Sequence, residues 1–176
     1  MEHLWSPWRL EYVTGDKPAS GCIFCLRGQA GDASHVSAGA SAKPDPPDPL
    51  VLFRGPTCYI VLNKYPYNNG HLLVVPYSHV PSLAGLRVDE LNELAGLTQR
   101  SELALREAYS PDAMNIGINL GKPAGAGIVE HVHIHIVPRW NGDTNFMTVF
   151  GETRELPEDL AGTAARLRPI FDRLAS

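Results

Sequence analysis

Cysteine is scarce in this chain, three among 176 residues, which excludes the disulfide framework of a small secreted domain. No apolar run approaches the roughly 20 residues a membrane-spanning helix needs. The first residues, MEHLWSPWRLEYV, lack the basic start and apolar core of a signal peptide, so the cytoplasm is the expected compartment. Cations are in deficit: 15 Lys and Arg face 19 Asp and Glu, a net charge of −4. That balance excludes a broad basic surface for extended nucleic acid, so any phosphate site should be local. Charged residues make up only 19% and aromatics 8%, against 44% hydrophobic residues. This composition suits one soluble globular domain with a core of its own. No internal repeat is visible.

Histidine is also uncommon, with seven in the chain, yet three stand at alternate positions in EHVHIHIVPRW, residues 130 to 140. The alternation with Val132, Ile134 and Ile136 predicts a half-buried strand with His131, His133 and His135 on one face. A solvated face would ordinarily carry Thr, Lys or Glu. One metal cannot take all three histidines from a straight strand. Same-face neighbours are about 7 Å apart and the outer pair about 13 Å, whereas zinc ligands sit about 2 Å from the ion.

The loop before this strand, GKPAGAG, contains Gly121, Gly125 and Gly127. Glycine lets backbone N–H groups converge on an anion. With imidazoles alongside, the pair of features predicts a pocket for a phosphoryl group. A neutral histidine is a competent nucleophile toward phosphorus if one ring nitrogen is bare and the other is held protonated by an acceptor. His133, flanked on both sides, is the natural nucleophile, with His135 on the phosphate or leaving oxygen.

Around these motifs the chain divides into three parts. Residues 1–49 form an N-terminal extension with the Cys-x-x-Cys of GCIFC and a flexible Gly, Ala, Ser, Asp and Pro-rich stretch from 27 to 49. The compact domain spans 50–150. Its strands are LVLF, CYIVLN, HLLVVP, MNIGINL and the histidine run, with NFMTVF after it. A long helix covers VDELNELAGLTQRSELALREAYS, with Leu91, Leu94, Ala95, Leu105 and Ala108 as its core stripe and Pro111 closing it. Residues 151–176 form a C-terminal extension with a helix over 157–174. Hairpin-ordered strands around one long helix predict an α+β fold with an antiparallel sheet. Cys58 reads as a small buried residue. Alone, GCIFC fits a metal site, a redox pair or two idle thiols.

HVHIHIV resembles the signature of the histidine triad (HIT) nucleotide-binding family, and VLNKYPYNNGHLLVVPYSH resembles that family's first conserved segment. LWSPWRLEY and RWNGDTNFM further resemble a bacterial branch that phosphorolyses or hydrolyses diadenosine tetraphosphate. The resemblance implies a HIT-like α+β fold, a homodimer whose sheets join, and an adenosine nucleotide substrate, with no membrane partner. It implies attack by His133 on an α-phosphate through a covalent nucleotidyl-histidine, with His135 binding phosphate. Asn63 would hold the ribose, and Asn119 with the backbone of Ala126 and Gly127 would line the phosphate pocket. His71 would stand behind the triad. In zinc-bearing members and the related galactose-1-phosphate uridylyltransferases, ligands stand at positions that here are Cys22, Cys25, His79 and His131, which implies a structural zinc. Gly127 and Ile128 depart from the family, which often carries a side-chain donor there; this leaves phosphate or water open as acceptor. A metal-dependent hydrolase and a nucleotide-binding module without turnover are the rival readings.

Overall fold

The computed structural model of the chain describes residues 21–29, 48–143 and 158–175. LWSPWRLEY, NFMTVF and the stretch 30–47 lie outside the described residues. A short helix α1, Ile23–Gln29, precedes three strands: β1 Val51–Arg54, β2 Cys58–Leu62 and β3 Leu72–Pro76. A long helix α2, Val88–Tyr109, is followed by β4 Ala113–Gly117, β5 Ile134–Arg139 and helix α3, Leu160–Ala175. The predicted long stretch at 27–49 therefore starts later, because Arg27 to Gln29 complete α1.

The five strands form one sheet in the order β1-β2-β3-β5-β4, and every neighbouring pair is antiparallel. The α+β expectation holds. β2 and β3 are buried along their whole length. Cys58, Ile60, Leu62, Leu72, Val74 and Ile136 meet α2 and α3 on one face. Tyr59, Val61, Leu73 and Val75 pack with Phe24 of α1 on the other. Two covered faces explain why both strands read as unbroken apolar runs rather than alternating ones. Each fully buried Leu or Ile here contributes about 1.5–3 kcal/mol.

Helix α2 starts at a capping box, where the Arg87 N–H donates to Glu90 Oε2 at 2.7 Å. It stops at Ser110, whose left-handed φ of 45° turns the chain into Pro111. Its buried face differs from the predicted stripe. Leu94 and Leu105 are buried, but Leu91 and Ala95 are exposed, and Glu90, Leu97, Ser101 and Ala104 take the inner positions. Two polar residues can be inside because their atoms are satisfied: Ser78 and Arg87 donate to Glu90, and Ser101 Oγ donates to the Leu97 carbonyl. Cys58 is fully buried, and burial pushes its thiol up to about 12.

Candidate active site

The histidine run is less regular than its alternation predicts. Strand β5 begins only at Ile134, so His131 and His133 lie in the irregular approach to it. The Val132 N–H donates to the Val80 carbonyl at 2.7 Å. That bond draws the segment toward the loop bearing His79, and the three histidines acquire different surroundings.

His131 is buried, and its Nε2–H donates to the Pro76 carbonyl at 2.8 Å. Nδ1 is then the lone-pair nitrogen. It faces Cys22 Sγ at 3.4 Å, Cys25 Sγ at 3.6 Å and His79 Nδ1 at 3.3 Å, and Cys25 Sγ lies 3.3 Å from His79 Nδ1. The four ligand atoms all lie within 4.8 Å of one another. Tetrahedral zinc with its usual bond lengths places neighbouring ligands about 3.3–3.8 Å apart, so this donor set fits a closed Cys2His2 site. The Pro76 bond supplies the outer contact that fixes a ligating imidazole. Burial, together with the neighbouring Cys22, pushes the Cys25 thiol up to about 11. A bound cation would stabilise both thiolates instead.

His133 turns the other way. Its Nδ1–H donates to the carbonyl of His131 at 2.9 Å, leaving Nε2 as a lone pair with no hydrogen-bond partner among the described residues. Burial lowers its pKa, partly opposed by the His131 carbonyl. A neutral imidazole is the form that attacks.

His135 stands on β5 beside His133, ring centres 4.8 Å apart. Behind it, His71 is 1% exposed. The Tyr67 N–H donates to His71 Nδ1 at 3.0 Å, so His71 carries its proton on Nε2 and donates to His135 Nδ1, also at 3.0 Å. His135 therefore bears its own proton on Nε2. Burial holds the His71 pKa well below the ordinary imidazole value, and the neighbouring histidines add to this.

His133 and His135 line an open cleft, together with Asn63, Gly125 and Gly127. Asn63 also does what a turn Asn does, accepting the Tyr65 N–H on Oδ1 at 3.1 Å. Two sequence-level assignments are placed elsewhere. Asn119 does not border the cleft; a methyl on Gly125 would lie 4.0 Å from its Nδ2. Ala126 turns its N–H back onto the Gly121 carbonyl, and Gly125 donates to Lys122. These bonds go with the positive φ of Gly121 and Gly125, 82° and 90°, the second a left-handed turn. Gly127 and Ile128 keep N–H groups with no partner among the described residues.

The cleft's other wall went unforeseen. Ile23, Phe24 and Arg27 of α1 line it, as do Lys64, Tyr65 and Tyr67. The Phe24 ring lies 4.8 Å from that of His133. The signal was present in GCIFCLR: two apolar residues between two cysteines must sit close to whatever the cysteines bind.

The profile described as HIT domain matches residues 47–142, and those residues contain the whole histidine constellation except the two cysteines. The chain belongs to the histidine triad (HIT) family. A relative named AP-4-A phosphorylase, from Mycobacterium tuberculosis, is 36% identical over 180 residues, covering 98% of this HIT protein and 86% of the relative. A Dictyostelium discoideum relative named bis(5'-adenosyl)-triphosphatase is 31% identical over 69% of the chain and 85% of its own length. A crystal structure described as a zinc-bound histidine triad family protein from Mycobacterium smegmatis is 28% identical, with a TM-score of 0.64. It covers 88% of this HIT protein and 95% of its own chain.

Proposed function

We propose that this HIT protein is a nucleotidyl transferase or hydrolase acting on the α-phosphate of dinucleoside polyphosphates. Diadenosine tetraphosphate is the first substrate to test, given the names of its relatives. The observation that carries the reading is the bond from His133 Nδ1–H to the His131 carbonyl, which leaves Nε2 bare at the cleft.

In the first step the Nε2 lone pair attacks the α-phosphorus. An N–P bond forms, and the P–O bond to the leaving nucleotide breaks, its electron pair departing with the oxygen. The His131 carbonyl stabilises the imidazolium that results. His135 Nε2–H donates toward the phosphoryl or leaving oxygen, and the Gly127 and Ile128 N–H groups face the growing charge. Asn63 holds the ribose. In the second step phosphate or water attacks phosphorus from the vacated side, and the N–P bond breaks to restore His133.

Cys22, Cys25, His79 and His131 would hold a zinc, which supplies structural cross-linking. Four protein ligands close a tetrahedral site, which speaks against the rival of a hydrolase with metal-activated water. Clamping α1 onto the catalytic segment is the consequence for the cleft, since Phe24 sits between the two cysteines. A cytoplasmic homodimer joined at the β4 edge, where Ile116 is exposed, belongs to the same reading.

Intact-protein mass spectrometry after an alkaline quench tests the proposal, since a phosphohistidine-type bond survives base. Diadenosine tetraphosphate should leave one adenylyl group on the wild type and none on His133→Ala. Turnover with no adduct, abolished by chelation while the fold persists, would favour the metal-hydrolase rival instead.

A further inference from the structure

Arg27 is a guanidinium at the cleft with most of its donors unspent among the described residues. Its side chain is 15% exposed and lines the cleft, and its ion pair is Nε to Asp48 Oδ2 at 3.3 Å. Asp48 is committed elsewhere: Oδ1 accepts the Leu50 N–H at 2.9 Å, and the residue does not reach the cleft. Arg54 fixes the backbone below, donating to the carbonyls of Arg27 and Gly28 at 2.8 and 2.7 Å. The terminal nitrogens of Arg27 have no partner among the described residues. The side chain that borders the cavity here is thus a rigid fork that can only donate.

The position of this fork along the cleft is set by register. Val51 pairs with Val61, Val61 with Leu73, and Leu73 with His135. That row crosses four strands, about 14 Å, from the β1 edge beside Asp48 to the histidines. The intervening lining is apolar, with Ile23, Phe24, Leu73 and Ile128. A nucleoside phosphate with its phosphorus at His133 would lay its base across those residues, toward the Arg27 side of the same cleft.

We propose that Arg27 reads the base and favours a 6-oxopurine over adenine, so that guanosine-containing dinucleoside polyphosphates belong to the substrate class. This rests on the nucleotidyl-transfer reading of the cleft. Guanine and hypoxanthine offer two adjacent acceptors, O6 and N7, to a two-pronged donor. Adenine offers N7 but sets an amino donor against the second prong.

The test is isothermal titration of full-length, metal-loaded protein with GMP, IMP and AMP. GMP and IMP should bind about tenfold more tightly than AMP, the usual scale for one bidentate contact. Arg27→Met keeps the aliphatic stem and should bring the three within about twofold, chiefly by weakening GMP and IMP. Arg27→Lys keeps the charge without the fork and should fall between. Wild-type protein that binds AMP as tightly as GMP overturns the base assignment, whatever the variants do, and leaves the nucleotidyl-transfer reading standing. Equal weakening of all three ligands in Arg27→Met also overturns it, by making Arg27 a phosphate contact. Failure of all three to bind overturns both readings together.

Discussion

Nε2 of His71 stands 3.0 Å from Nδ1 of His135, and the Tyr67 N–H decides the direction of that bond by occupying the far nitrogen of His71. The tautomer of a cleft histidine is thus set by a backbone amide two residues removed in the chain of contacts. The same logic recurs at His133 through the His131 carbonyl and at His131 through Pro76. Three fixed backbone groups thus divide the motif between two tautomers, with the proton on Nε2 at His131 and His135 and on Nδ1 at His133, so that identical side chains present different atoms.

Removing the nucleophile should separate chemistry from binding. His133→Ala is expected to lower kcat by at least about four orders of magnitude. AMP affinity should change by only a few-fold, because Asn63 and the apolar lining remain. Turnover by the purified variant near the wild-type rate would show that His133 does not attack.

Metal should be structural and should also support the nucleotide cleft. Elemental analysis of protein purified without chelator should find about one zinc per chain. Replacing Cys22 and Cys25 by serine should cost more than about 3 kcal/mol, roughly 6–12 °C in Tm. AMP binding should weaken as well, since Ile23, Phe24 and Arg27 lose their anchor. A metal-free sample of undiminished Tm contradicts this.

Acid should destabilise the fold through His71. Its folded pKa is depressed, so the unfolded chain binds a proton near pH 6.5 that the native protein refuses. The stability from this residue is complete above that pH and is lost as pH falls. Between pH 6.5 and 5.5 the loss is about 1 kcal/mol. Urea unfolding at the two pH values measures it. His71→Gln should flatten the pH dependence by that amount, even if it lowers stability throughout. An unchanged slope would mean that His71 is protonated in the native protein.

The acceptor is expected to be phosphate. Arg139 cannot supply the charge, for it is engaged with Asp143 at 2.6 and 2.7 Å and is absent from the cleft, as is Lys122. Lys64 does line it. Diadenosine tetraphosphate should therefore yield ADP and ATP only when inorganic phosphate is present. Lys64→Gln should raise the KM for phosphate about threefold, the scale of one exposed charge. AMP formed equally with and without phosphate would make the protein a hydrolase.

The sequence by itself determined the α+β class, the boundaries of β2, β3 and α2 within a residue or two, and the residues around which the site is built. Apolar runs, turn residues and a helix stop at Ser110–Pro111 act locally, so their effects can be read locally. HVHIH drew the eye to the cleft because histidines at such spacing have few uses. What only the tertiary structure decided depends on contacts between distant segments. The Val132–Val80 bond pulls His131 and His133 out of the regular strand, and no periodicity encodes it. Glu90 and Ser101 enter the α2 core because partners elsewhere satisfy them, so a stripe drawn from apolar residues alone chose Leu91 and Ala95 wrongly. The glycine loop turns Ala126 inward through bonds that its composition does not announce. Arg27 reaches the cleft because α1 is held onto the histidine segment by long-range contacts, the Cys-x-x-Cys cluster at His131 among them. Sequence names the groups that can react; the fold chooses which of their atoms face the cleft, because a hydrogen bond made on one side of a ring or a loop fixes what remains for the other.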